Sequence, residues 1–247
     1  MTCDRTPLAL ALLAGGLATR LRPLTESVPK SLLDVNGEPF IAHQLRLLQA
    51  RGIRRVVVCA GYLGEQIMAA VGTGEQFGME VTFSFDGPRL LGTAGALRRA
   101  LPMLDEAFFV MYGDSYLPCD YAAIQDAFSR AGVAGLMTVF RNDHKLDRSN
   151  VELAGGKLIA YDKRSPTPNM RHIDYGLGVL TREAVVGVPT GRPSDLADLY
   201  RDLLARGDLI GYEVAERFYE IGSPTGLAEL RQHLAAPAGH TRPLATA

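Results

Sequence analysis

The chain reads as an α/β protein, a three-layer α/β/α sandwich on a mostly parallel sheet. Three observations lead there. Apolar runs of strand length recur through the first half, separated by segments of helical periodicity. The loops between them are short, as in successive β-α-β units. The first apolar run, residues 8–13, ends in a glycine turn followed by cations, the layout of a ligand site at the carboxyl end of a parallel strand.

Residues 1–6 read as a frayed start and 8–13 (LALALL) as a first buried strand. Asn36-Gly37 signals a turn. Residues 40–50 (FIAHQLRLLQA) space their apolar side chains as an amphipathic helix, with His43 on its face, stopped by Gly52. A second buried strand covers 55–60 and a short helix 64–71. Gly72, Gly74 and Gly78 share letters with a dinucleotide fingerprint, but they precede a strand instead of opening a helix, so they read as a loop. Strand 81–85, helix 95–104 and strand 108–111 continue the alternation.

Beyond Asp120 the pattern changes. A helix over 122–131 and a strand over 135–140 precede two runs, 150–153 and 157–161, that flank Gly155-Gly156 as a hairpin. A strand over 173–180 is interrupted by Gly176 and Gly178. A helix over 196–205, short strands at 210–214 and 218–221, and a helix over 225–234 complete the ordered part. Residues 1–234 are expected to form a single domain of two lobes, and 235–247, without periodicity, a disordered tail.

Composition excludes several classes. A net charge of −1 gives no field to hold nucleic acid, so an anion site must be local. Hydrophobic content of 47 % suits a sizeable core, and no run reaches the roughly eighteen apolar residues of a membrane span. The apolar run after Arg5 is too short, and too soon followed by Arg20 and Arg22, for a signal peptide. Cys3, Cys59 and Cys119 are odd in number and widely spaced, so neither a disulfide framework nor a zinc cluster is expected, and a reducing, cytoplasmic location is.

The chemistry concentrates between Leu8 and Lys30. Two glycines let a ligand approach the main chain, and Arg20, Arg22 and Lys30 supply charge for a polyphosphate. The pattern formed by Gly15, Gly16, Thr19, Arg20, Leu21, Pro23, Leu24, Thr25, Pro29 and Lys30 is neither of the common phosphate loops. It closely resembles the signature of the sugar-phosphate nucleotidylyltransferases, the NDP-sugar pyrophosphorylases. The resemblance implies the nucleotide-diphospho-sugar transferase fold over residues 8 to about 234. It also implies conversion of an NTP and a sugar 1-phosphate, hexose or heptose, to an NDP-sugar and pyrophosphate.

The same resemblance assigns roles. Arg20 and Lys30 would be catalytic. Leu13, Ala14, Gly15, Gly16 and Thr19 would bind nucleotide, with Gly92, Thr93 and Ala94 from a segment similar to the family's G-T-A-G-A element. Thr93 is also expected to cap the helix that follows it. Asp114, after the strand FFVM, would hold Mg2+. A second ligand would be Glu220 in FYEIGSP, which stands where the family's W-x-D-x-G-T-P has Asp. Asp162-Lys163 resembles the family's E-K, so Asp162, Lys163, Asn150 and Asp174 would bind the sugar phosphate. Departures at Asn150, Arg164 and Asp174 point away from the commonest hexose phosphate, and Asp147-Arg148 leans towards heptose or mannose 1-phosphate. Asp195, Asp198 and Asp202 read as a solvated helix face.

The implied partners are NTP and sugar 1-phosphate, with no nucleic acid and no membrane; a homo-oligomer is left open. No acyltransferase module follows, so a bifunctional enzyme is not expected. Two alternatives stand: a cytidylyltransferase of the same fold acting on a non-sugar phosphate such as phosphocholine, and a non-catalytic regulatory homologue that binds NDP-sugar.

Overall fold

A computed structural model describes residues 6–235. The expected frayed start lies outside them except for Thr6, and the expected tail except for Ala235.

In chain order the elements are β1 (Leu10–Leu13), β2 (Asp34–Val35), β3 (Glu38–Pro39), α1 (Phe40–Ala50), β4 (Arg55–Ala60), α2 (Gly64–Val71), β5 (Glu80–Phe85), α3 (Gly92–Ala100), β6 (Ala107–Tyr112), β7 (Ser115–Tyr116) and α4 (Tyr121–Ala131). There follow β8 (Gly135–Arg141), β9 (Val151–Ala154), β10 (Lys157–Tyr161), β11 (His172–Thr181), α5 (Arg182–Val186), α6 (Leu196–Ala205), β12 (Leu209–Val214), β13 (Tyr219–Glu220) and α7 (Pro224–Ala235).

One nine-stranded sheet runs through both halves, in the order β10-β9-β11-β6-β1-β4-β5, with β8 added to β11 and β12 added to β8. β6, β1, β4 and β5 are parallel, as are β8 and β12. β11 runs antiparallel to both β6 and β8 and joins the two parallel sets. Alternation along β1 sends Leu10 and Leu12 to one face, where Ile41, Leu45, Leu48 and Ile67 from α1 and α2 cover them. Ala11 turns to the other face, against Leu97 and Ala100 of α3 and the core side of α6. The strands buried on both faces are the nearly continuous apolar runs of the sequence. A third, smaller core gathers Val35, Phe40, Ile221, Leu227 and Leu230 beneath α7.

The element ends depart from expectation for local reasons. β1 begins at Leu10 because the Leu8 amide donates to Gln125 Oε1 (3.1 Å) instead of to a neighbouring strand. α3 begins three residues before the expected start, and a 3-10 turn over Leu101–Met103 replaces its last turn. Pro102 has no N–H to continue the α-helical ladder. The short α5 was not expected; Thr181 caps it by accepting from the Ala184 amide at 3.1 Å. The loop after α2 carries one 3-10 turn, Glu75–Phe77.

The tightest packing lies where the parallel strands end. The Gly113 amide donates to the Leu13 carbonyl (2.9 Å), and the Ala14 amide to that of Cys59 (2.9 Å). A Cβ on Gly113 would stand 2.6 Å from Leu13 O and 2.9 Å from Ala14 Cα; one on Gly61 would stand 2.8 Å from Gly15 O. These obstacles are backbone and cannot rotate away. Gly113→Ala should therefore destabilise the protein by about 1–3 kcal/mol, read by urea denaturation; an unchanged midpoint would show that the strand ends can separate without cost.

Candidate functional site

The ends of β1, β4 and β6 open into a pocket of about 250 Å³. Leu13, Ala14, Gly15, Gly16, Gly92, Thr93, Lys30 and Asp114 all line it, so most of the expected nucleotide segment converges with one of the two expected catalytic residues, Lys30, and with Asp114, expected to hold the metal; Arg20 is not among the lining residues. Gly16 has open space where a side chain would stand, which leaves its backbone accessible to a ligand.

Lys30 is placed by a 3-10 turn, Lys30–Leu32, that follows Pro29. Its Nζ lies 2.5 Å from Asp114 Oδ2, across 84 residues of sequence. The turn carrying Asp114 is fixed from below. Gln44 on α1 is wholly buried, and its Nε2 donates to the carbonyls of Ser115 (2.7 Å) and Tyr112 (3.4 Å). Arg20 follows Ala18, which takes a left-handed conformation (φ 49°) stabilised by the Thr25 hydroxyl donating to its carbonyl at 2.8 Å. Among the described residues Arg20 forms no ion pair within 4 Å, so its guanidinium is available to an anion.

Glu220 is brought beside the Asp114 turn, on a neighbouring pocket, by β13, which pairs with β7 so that Glu220 stands opposite Ser115; the Ile221 amide donates to the Asp114 carbonyl at 2.9 Å. A Cβ on Gly222 would meet Glu220 Oε1 at 3.4 Å and Arg20 Nη2 at 3.6 Å, so the two side chains flank that glycine. Burial first, then the neighbouring Asp114 and Asp147, push the Glu220 carboxyl above its usual range. Among the described residues there is no cluster of three or more His, Cys, Asp or Glu able to hold a metal. Two facing carboxylates that repel one another nonetheless fit a hard divalent cation, since magnesium takes oxygen ligands and keeps several waters.

The residues expected at the sugar form a second cluster. Lys163 Nζ is 2.9 Å from Asp174 Oδ2 and 3.2 Å from the Tyr112 hydroxyl. Asn150 Oδ1 accepts from the Asp174 amide (3.0 Å). Asp162 Oδ1 accepts from the Arg164 and Ser165 amides (2.7 and 2.9 Å) and so shapes the loop that carries Lys163.

Two expected nucleotide residues, Thr19 and Ala94, stand apart from the pocket, and a third, Thr93, departs from its expected role. Thr19 is exposed and does not line it. Ala94 is 1 % exposed, and its amide donates to the Ser194 carbonyl. Thr93 lines the pocket but does not cap its own helix. Its Oγ1 accepts from the Leu196 amide (2.7 Å) and donates to Asp195 Oδ1 (3.2 Å), so it helps cap α6 instead. Its hydroxyl is drawn there because the loop before α6 folds over Gly92, whose Cβ position is taken by Ser194. Asp195 itself caps α6, accepting from the Ala197 amide at 2.9 Å.

A profile of the nucleotidyl transferase family matches residues 10–149. This chain belongs to that family. It is 30 % identical over 231 residues to N-acetylmuramate alpha-1-phosphate uridylyltransferase of Neisseria meningitidis, a match that covers 88 % of this chain and 94 % of the relative. It is also 30 % identical to mannose-1-phosphate guanylyltransferase of Mycobacterium tuberculosis, spanning 86 % of this chain but 60 % of that longer one. Among solved structures, a putative glucose-1-phosphate thymidylyltransferase from Bacillus anthracis superposes with a TM-score of 0.82 at 20 % identity, covering 95 % of this chain and 97 % of that one. HddC from Yersinia pseudotuberculosis, in complex with GMP-PN, gives 0.77 at 21 %, covering 92 % and 99 %. At these identities the two structures establish the fold, the nucleotide-diphospho-sugar transferase fold.

Sequence reasoning missed several residues of the site. Gln44 was legible only as a polar side chain on an apolar helix face. Tyr112 reads as the last residue of a buried strand. Cys59 lies under the pocket, where burial pushes its thiol up to about 12. Asp86, at the end of β5, lines the pocket while 7 % exposed and accepts from the Leu91 amide at 2.9 Å. Burial raises its carboxyl above the usual range, against the pull of Leu91 and Arg99. A raised folded-state value means the native state holds the proton more tightly than the unfolded one, so Asp86 costs stability as pH rises above about 4. The melting temperature of Asp86→Asn relative to wild type should climb from about pH 4 towards neutrality, then level off. A pH-independent difference would contradict this assignment.

Proposed function

We propose that this protein transfers a nucleotidyl group from an NTP to the phosphate of a sugar 1-phosphate, hexose or heptose, and releases pyrophosphate. The observation that carries the reading is the convergence of Lys30 and Asp114 in a glycine-lined pocket, with Arg20 and Glu220 flanking Gly222 beside it. The presence of Arg20, Lys30 and Asp114 together favours this reading over a non-catalytic NDP-sugar binder.

An oxygen of the sugar phosphate attacks the α-phosphorus of the NTP, and the bond to the bridging oxygen of the leaving pyrophosphate breaks. The nucleophile is already largely dianionic near neutral pH, with a second pKa of about 6, so no protein base is needed. The work left to the protein is to bring two anions together in line and neutralise the charge that builds on the leaving group. Lys30, once drawn from Asp114, meets the α-phosphate; Arg20 meets the departing phosphates; Lys163 holds the acceptor phosphate. Asp114 and Glu220 would hold a magnesium ion, whose charge would offset that of the phosphate oxygens.

UTP with N-acetylmuramate 1-phosphate is the first pair to test, because the uridylyltransferase relative matches over nearly its whole length. GTP with mannose or heptose 1-phosphate is the second, because the guanylyltransferase relative is as similar but longer. A cytoplasmic setting accords with the buried, unpaired Cys59 and Cys119 and with the lack, among the described residues, of a helix long and apolar enough to cross a membrane.

Pyrophosphate release should be measured over a panel of NTPs and sugar 1-phosphates, with phosphocholine included. Turnover with one sugar 1-phosphate is expected; turnover with phosphocholine alone, or none at all, overturns the reading. Lys30→Ala should lower turnover by roughly 10²–10³, about 2.7–4 kcal/mol of transition-state stabilisation, and near-normal turnover at saturation would remove Lys30 from the chemistry. Glu220→Gln should shift the magnesium titration of turnover to markedly higher concentration while leaving the affinity for the sugar phosphate nearly unchanged. If that titration does not move, the second ligand lies elsewhere.

A further inference from the structure

Asp174 stands in the sugar lobe, yet its side chain is only 4 % exposed and its oxygens are already engaged by the protein. Oδ2 receives the Lys163 ammonium at 2.9 Å and the Tyr161 hydroxyl at 3.1 Å, and Oδ1 receives the Gly176 amide at 3.0 Å. Its backbone is equally held, because its amide donates to Asn150 Oδ1. A carboxylate so enclosed has little left to offer a sugar hydroxyl. Lys163 differs: its side chain is 38 % exposed, and its two protein partners, Asp174 and the Tyr112 hydroxyl, leave one of its three N–H donors unassigned. Tyr112 lines the nucleotide pocket, and the ammonium lies 4.8 Å from the centre of its ring. The lysine is thereby stretched from the sugar lobe to the wall of the nucleotide pocket.

We propose that Asp174 is a positioning residue that acts through Lys163: with Tyr161 beside it, it fixes the ammonium against Tyr112 so that one N–H awaits the acceptor phosphate. The proposal rests on the reading of Lys163 as the acceptor-phosphate ligand. A long lysine side chain loses rotamer freedom when ordered, and an ion pair formed before the substrate arrives removes part of that cost from binding. Asp174 also keeps the ammonium charged. The groups facing Lys163 are Asp174 on β11, Tyr112 on β6, Tyr161 on β10 and Tyr200 on α6. Burial opposes the charge most strongly, but Asp174, with Tyr112 and Tyr161 beside it, outweighs burial in sum and lifts Lys163 above the ordinary lysine range.

The decisive variant is Asp174→Asn, which keeps the shape and one acceptor oxygen and removes the charge. The chain has four lysines, Lys30, Lys145, Lys157 and Lys163. The ammonium can therefore be followed directly by carbon-13 NMR of protein labelled at lysine Cε, with the Lys163 signal assigned by its loss in Lys163→Arg. In Asp174→Asn that signal should titrate about 1–3 pH units lower than in wild type. The KM for the sugar 1-phosphate should rise about tenfold, the KM for the NTP should change less than twofold, and the alkaline limb of kcat/KM for the sugar phosphate should move down with the NMR titration.

An unmoved Lys163 signal overturns the pairing. A moved signal with both KM values raised alike, or neither raised, overturns the positioning role and leaves Asp174 a structural residue. Lys163→Ala run alongside separates the two layers: if the pairing is seen by NMR but Lys163→Ala spares the sugar-phosphate KM, the reading of Lys163 itself falls, and this proposal with it. Should Asp174→Asn not fold, Tyr161→Phe removes only the hydroxyl that shares Oδ2. It should raise the sugar-phosphate KM alone by about 2–10-fold, and no rise there counts against the proposal.

Discussion

The structure depends on how closely three parallel strands approach where they end. β1, β4 and β6 finish at the same level, and the chain leaves each through a glycine: Gly15, Gly61 and Gly113. Their backbones come within distances that a single Cβ would forbid. That approach puts the Asp114 turn beside the first strand and lets Lys30, returning from its loop, reach the carboxylate at 2.5 Å. The hydrophobic effect drives the strands together but has no direction; the missing side chains decide how near their ends can come. The open space at Gly16 follows from the same arrangement, for once the strand ends are sealed the only room left is above them.

The charges of the candidate site are arranged as opposed pairs. Lys30 sits on Asp114, Lys163 on Asp174, and Arg20 near Glu220. A protein with a net charge of −1 cannot recruit a polyphosphate by its overall field. It must hold a few cations in place without letting them repel one another or wander, and carboxylates do both. The two pairs differ in burial: the side chain of Asp114 is 24 % exposed and that of Asp174 only 4 %. The Asp114 pair is therefore open to solvent, while Asp174 is enclosed.

The antiparallel strand β11 links these two regions. It lies against β6, which ends at the Asp114 turn, and carries Asp174 and Gly176 where its register with β8 shifts. A strand without that irregularity would continue its ladder past Asp174. Gly176, with a φ of +97°, bends the chain so that the Asp174 carboxylate can receive the Gly176 amide and still face Lys163. The Lys163–Asp174 cluster thus takes its placement from the same sheet that floors the pocket at the strand ends.

The sequence by itself determined the fold class, the succession of strands and helices, and the glycine-and-cation stretch of a nucleotidyl transferase, because these are properties of neighbours along the chain. Apolar period sets strand or helix, and a motif such as GGLATRLRPLTESVPK keeps its meaning wherever it is placed. Short elements and exact boundaries escaped it: α5 has five residues, too few to show a period, and α3 starts at Gly92, inside the segment expected to cap it. Only the tertiary structure decided which residues face one another across long separations. It joined Lys30 to Asp114, set Gln44 beneath the turn of residues 112–115, turned Thr93 to the start of α6, and enclosed Asp174 against Lys163. Those pairings follow from strand order and from close packing at glycines, neither of which leaves a local mark in the chain.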